Sequence, residues 1–162
     1  MKKILTTLFF LFSLNFVYSQ DFDFELIEKL TNISFYSIDN YMIEGYGFKK
    51  IREENEGKKR VYSRYYNDDF NNTIIIKVTK FKPIPKEEDG MKSYYIKPNF
   101  IEITIAKNYN LRLIKDKLLE RDFEYIGKDD MGFLGYEKDK LLYLISTRTN
   151  DAGGTQIMLL KE

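Results

Sequence analysis

The spacing of apolar residues changes along this chain, and the changes mark its elements. Between residues 21 and 33, Phe22, Leu26, Leu30 and Ile33 recur at helical spacing with Ile27 beside them, which predicts an amphipathic helix. Asp21, Asp23 and Glu25 fall in its first turn, where acidic groups suit the positive end of the helix dipole. Ser37 then reads as the N-cap of a second short helix with Ile38, Tyr41 and Met42 on one face. That helix is expected to stop at Gly45-Tyr46-Gly47-Phe48, where a glycine adopts the left-handed conformation that ends helices. Beyond it the period falls to two. Runs at 49–53 and 59–66 flank a polar turn at Asn55-Glu56-Gly57, and residues 68–72 read as a further turn. The run 73–81 carries Ile74, Ile76 and Val78 on one face and Ile75 on the other, and 100–106 alternates strictly through Ile101, Ile103 and Ile105. These β-branched runs predict strands.

The same order then returns. Asn110 is the expected cap of a helix with Leu111, Ile114 and Leu118 on one face and Leu119 adjacent. Asp122 stands where the first stop has Gly47, and Asp is among the few other residues that tolerate the left-handed conformation. Phe123 matches Phe48 and Ile126 matches Ile51, both at a shift of 75 residues. Extended runs follow at 123–127, 133–138, 141–149 and 155–161, separated by turns at Asp129-Asp130, 137–140 and 150–154. The last two runs are apolar on both faces at 141–145 and 157–160. Such strands belong in the centre of a sheet, covered on both faces or covered on one and partnered on the other.

The expected fold is therefore α+β: two tandem helix-plus-four-antiparallel-strand units forming one sheet, with helices on one face. The expected boundaries are an N-terminal helical stretch over 20–36, a first unit over 37–106 and a second over 107–162. In this order of elements the chain resembles the β-lactamase-inhibitory-protein fold. That fold repeats helices followed by four antiparallel strands and uses its open sheet face to grip an enzyme. The resemblance implies an architecture and a mode of binding, and transfers no site residue.

One connection breaks the pattern. Residues 82–99 hold all three prolines (Pro83, Pro85 and Pro98), the acidic stretch Glu87-Glu88-Asp89-Gly90 and the apolar Tyr94-Tyr95-Ile96. Loops beyond roughly 12–15 residues are usually functional or disordered.

The start of the chain reads as a targeting segment. Lys2 and Lys3 precede a mostly apolar run from Ile4 to Phe16, and Val17 and Ser19 occupy the −3 and −1 positions of a cleavage site. Ser13 and Asn15 interrupt the run, leaving it short of the roughly 18 apolar residues that span a bilayer. Residues 1–19 are thus expected to be a signal peptide, with 20–162 a single exported domain, periplasmic or extracellular, and not inserted in the membrane. Cleavage would remove two of the 26 basic residues and none of the 25 acidic ones. A chain so near neutrality has no global field to steer it onto nucleic acid.

Missing residue types narrow the chemistry. There is no Cys and no His, which removes disulfides, thiol nucleophiles, Ser-His-Asp and Cys-His arrangements and His-ligated zinc. No cofactor, metal or catalytic residue is expected. The adjacent carboxylates at Asp68-Asp69, Glu87-Glu88-Asp89 and Asp129-Asp130 fall in predicted turns, where acids are ordinarily solvated. The glycine pairs lack the lysine and following helix of a phosphate loop.

One strand stands out. Residues 58–66 interleave cations and aromatics as Lys-Lys-Arg-Val-Tyr-Ser-Arg-Tyr-Tyr. Its lysines and arginines suit a strand that must avoid edge-to-edge pairing, and its Arg60, Tyr62, Arg64 and Tyr66 suit an interface with an acidic protein partner. With Tyr94 and Tyr95 of the long connection, these are the candidate partner-binding residues. The sequence thus points first to an exported, non-enzymatic envelope protein that binds another protein, as an inhibitor or immunity-type factor. A small-ligand module for a lipid, peptide or glycan is the alternative, and it predicts an enclosed apolar cavity. A hydrolase working with carboxylates alone comes third.

Overall fold

A computed structural model of the chain describes residues 22–66, 69–79, 86–88, 91–93, 100–107, 109–151 and 153–161; for residues 65, 66, 69, 70, 86–88 and 91–93 it describes the backbone alone. The segment read as a signal peptide lies outside the described residues.

Eight strands form one open antiparallel sheet. They are β1 (Lys49–Glu54), β2 (Lys59–Tyr66), β3 (Asp69–Thr79), β6 (Phe100–Ile105), β7 (Glu124–Lys128), β8 (Phe133–Lys138), β9 (Leu141–Thr149) and β10 (Thr155–Lys161). Their order across the sheet is β1-β2-β3-β6-β10-β9-β8-β7. Two hairpin-connected runs of strands thus meet through the antiparallel pair β6–β10, where Ile103 faces Ile157 and Glu102 faces Met158. Within the connection at 82–99, β4 (Lys86–Glu88) and β5 (Met91–Ser93) form a separate two-stranded ladder. The turn expected at 68–72 is tighter than that, because β3 already begins at Asp69 and pairs with Tyr66.

Three short α-helices complete the described secondary structure, so the protein is mostly β with some helix. They are α1 (Phe24–Leu30), α2 (Ile38–Asn40) and α3 (Leu111–Glu120). Asp23 caps α1 by accepting from the Leu26 amide at 2.9 Å, and Asn110 caps α3 by accepting from Arg112 and Leu113. Ser37 makes no such side-chain bond. The second helix is instead a composite: a 3-10 turn at Phe35–Ser37, then α2, then a π-helical turn at Tyr41–Gly45.

The core lies on one face of the sheet. Ile74, Ile76 and Val78 of β3, Ile101, Ile103 and Ile105 of β6, Ile157 and Leu159 of β10, and Tyr143 and Ile145 of β9 alternate inward. They form one cluster with Leu26, Ile27 and Leu30 of α1, Phe35, Ile38 and Met42 of the composite helix, and Ile114 and Leu118 of α3. Burying each such side chain stabilises the fold by about 1.5–3 kcal/mol. Both outer strands carry a β-bulge, in β1 between Lys50 and Arg52 and in β7 between Tyr125 and Gly127. Bulges of this kind blunt edges that would otherwise template aggregation.

Candidate functional surface

The alternation that fills the core leaves the opposite parity of each strand on the other face. There the central strands carry Phe100, Leu142, Leu144, Met158 and Leu160, all half-buried and none of them packed against the core cluster. Strand register places them side by side: Leu160 pairs with both Phe100 and Leu142, and Met158 pairs with Leu144. Ile126, 56 % exposed at the β7 bulge, extends this surface. An added Cβ at Gly135 would lie 2.7 Å from Ile126 Cγ1 and 3.8 Å from Leu144 Cδ2, so Ile126 reaches over the glycine toward Leu144. A residue with any side chain at 135 would lift it away. The result is an apolar band from Phe100 to the β7 edge.

The other half of this face carries charge around buried Val61 and Ser63 of β2. Arg52 of β1 pairs with Glu54 at 2.6 Å, and Lys59 of β2 reaches Glu102 of β6 at 2.8 Å. Lys49 and Lys77 add two further cations by register, opposite Ser63 and Glu102. Basic character on β1–β3 thus adjoins an apolar band on β6, β10, β9 and β8. Contiguous apolar patches of this type mark interaction sites.

The strand singled out in the sequence faces the other way. Arg60, Tyr62 and Arg64 share the helix-covered face, because Tyr62 pairs with inward-facing Ile76. Tyr62 has no exposed surface, and its hydroxyl donates to Asp39 Oδ1 at 2.5 Å. Arg60 donates to the Phe35 carbonyl at 2.8 Å, lies over the Phe35 ring and sits 3.5 Å from Asp39. Lys50 also reaches Asp39, at 3.0 Å, and Glu53. Burial pushes the Tyr62 hydroxyl well above its usual pKa, reinforced by the Asp39 carboxylate. Arg60 and Tyr62 therefore hold the composite helix to the sheet, and an interface on the open face has to use other residues. Arg64 lies over the Phe48 ring at 5.2 Å on the same covered side. Tyr66 is described in its backbone only, and Tyr94 and Tyr95 lie outside the described residues.

Sequence reasoning did not name the open-face residues, although their signal was present. Runs 141–145 and 157–160 are apolar at both parities, and one parity suffices for a single core.

Arg64 also borders a cleft of about 470 Å³ that opens on the helix side between α1 and α3, lined by Phe22, Asp23, Phe24, Glu25, Lys117, Glu120 and Arg121 as well. It is open and rimmed by charge, unlike the enclosed apolar cavity expected of a lipid carrier. Among the described residues no cluster of three acidic side chains is arranged to hold a metal ion, and no helix is long and apolar enough to cross a membrane. Comparisons with protein-family models, curated proteins and solved structures find no match, so the resemblance to the β-lactamase-inhibitory-protein fold rests on element order alone.

Proposed function

We propose that this is an exported, non-enzymatic binding protein that holds another protein against its open sheet face. The observation that carries this reading is the half-buried apolar band on the central strands, continued to the edge by Ile126. Interfaces use an apolar centre with a charged rim, and the cations of β1–β3 provide such a rim for a partner bearing carboxylates. An inhibitor or immunity-type factor acting on an exported enzyme fits this surface.

We also propose that the chain is a tandem pair of helix-plus-four-strand units. Three position pairs at a shift of 75 support it. Gly47 and Asp122 both take positive φ, 67° and 64°. Phe48 and Phe123 are both buried beside them, and Ile51 and Ile126 are the extra, exposed residues of the two edge bulges. The helices differ by one residue at their ends: the Phe48 amide donates to Met42, six back, and the Phe123 amide to Leu118, five back. The π-helical turn absorbs that insertion.

The test is affinity capture from the producer's envelope extract with three forms: the native chain, one with 82–99 replaced by a Gly-Ser linker, and one carrying Ile126→Asp with Leu144→Glu. A stoichiometric protein held by the native form and lost from the double variant is the expected result. Equal recovery by the double variant would remove the open face from consideration. Failure of every folded form to hold a protein would shift the reading to a small-ligand module.

A further inference from the structure

On β2, two arginines of the same parity sit four residues apart in opposite circumstances. Arg60 donates to the Phe35 carbonyl and lies 3.5 Å from both Asp39 and Glu53. Arg64, half-buried and stacked on Phe48, has no hydrogen-bond acceptor and no carboxylate within ion-pair distance among the described residues. A guanidinium carries five N–H donors in a planar fork, a shape matched to a carboxylate. Arg64 borders the cleft between α1 and α3.

The rest of the cleft defines what the fork would meet. Its apolar wall is Phe22 and Phe24, whose rings meet edge to face at 4.8 Å. Arg121 is committed to Glu28 at 2.9 Å and Asp23 to the Leu26 amide. Glu25 and Glu120 are exposed at the rim and form no ion pair with a described residue. Counting Arg64, Lys117 and Arg121 against Asp23, Glu25 and Glu120, the lining is balanced, which favours a zwitterion over a multiply charged anion such as a phosphate dianion, with the ammonium group at the rim carboxylates. The cleft thus sets a guanidinium without an acceptor among the described residues at one wall, aromatic carbon at another, and Glu25 and Glu120 with Lys117 toward the mouth.

We infer that this cleft binds a small monocarboxylate with an apolar or aromatic body, of the amino-acid or peptide-terminus class, through Arg64. The site lies on the helix side of the sheet and is independent of the open-face interface. The carboxylate takes the Arg64 fork, the apolar body lies on Phe22 and Phe24, and an α-ammonium faces Glu25 and Glu120.

The test titrates the full chain with phenylalanine, phenylacetate, phenylalaninamide and inorganic phosphate, read by heteronuclear NMR at the Arg64 Nε–H and the Phe22 and Phe24 rings. The expected order is phenylalanine, then phenylacetate, with phenylalaninamide and phosphate at least tenfold weaker. Arg64→Met should weaken phenylalanine at least tenfold, and Glu120→Gln should bring phenylacetate closer to phenylalanine. In the unsubstituted chain, phenylalaninamide binding as well as phenylalanine would overturn the proposal whether or not Arg64→Met folds. Saturable phosphate binding that shifts Arg64 as strongly as phenylalanine does would overturn the monocarboxylate assignment.

Discussion

Over β1 and β2 the covering segment is held by charge, whereas over β8 and β9 it is held by rings. In the first region Asp39 gathers Tyr62, Lys50 and Arg60 around one carboxylate. In the second, Tyr143 receives Phe24 and Phe123 edge to face at 5.8 and 5.3 Å, and Tyr136 and Leu118 close the packing. The helices differ to match. Residues 35–45 form a composite of 3-10, α and π turns, while α3 runs ten residues under an Asn110 cap. A regular helix presents a periodic apolar stripe that packs without polar help. The composite one buries Phe35, Ile38 and Met42 without so regular a stripe, and directed hydrogen bonds add to fixing its place.

The largest expected effect breaks the ring-packed side. Phe123→Ala removes a buried ring set against Tyr143 and should cost about 3–5 kcal/mol in urea unfolding. Asp39→Ala strikes the charged side and should cost less, about 1–3 kcal/mol, through the buried Tyr62 hydroxyl left without its acceptor. A loss from Asp39→Ala equal to that from Phe123→Ala would erase the contrast.

Acid sharpens the same comparison. Burial alone would raise the Asp39 carboxyl, but hydrogen bonds from Tyr62 and Lys50 and the charges of Arg60 and Lys50 outweigh it and hold the group below its usual 3.8. A carboxyl held lower in the folded than in the unfolded chain contributes stability above the unfolded value, lost as pH falls through the folded one. Amides of β1 and β2 should therefore lose exchange protection below about pH 4 before those of β8 and β9, and Asp39→Asn should abolish that order. At the alkaline end Tyr62 and Tyr143, raised chiefly by burial, contribute stability present below their usual 10.0 and lost as pH rises toward the folded values.

The smallest effect compares the two helix stops. Asp122 holds positive φ with a side chain, so Asp122→Gly should stabilise by less than about 1 kcal/mol. Gly47→Ala should cost roughly 1–2 kcal/mol. Thermal melts of the two variants should move in opposite directions.

Much of this architecture was legible in the chain. The strands of the second half lie within one residue of the expected runs, because alternation with short turns leaves each strand little freedom of register. Asn110 caps as its position before an apolar stripe implies, and Gly47 and Asp122 take left-handed φ. The second helix was read only in outline. Its apolar residues Ile38 and Met42 are buried, but the π turn at Tyr41–Gly45 has no local signature in residue type.

Local pattern alone determined which residues alternate, where turns fall and that strands 141–149 and 155–161 carry apolar side chains on two faces. Which face the helices cover is a tertiary decision. Residues 58–66 offer Arg60, Tyr62 and Arg64 to one side and Lys59, Val61 and Ser63 to the other, and either set could face water on a strand in isolation. Pairing Tyr62 with Ile76 and Ile76 with Ile103 commits the first set to the core side, where Asp39 from a distant helix meets Tyr62 and Arg60. The same pairing leaves Phe100, Leu144 and Met158 on the face opposite the helices, where they are half-buried.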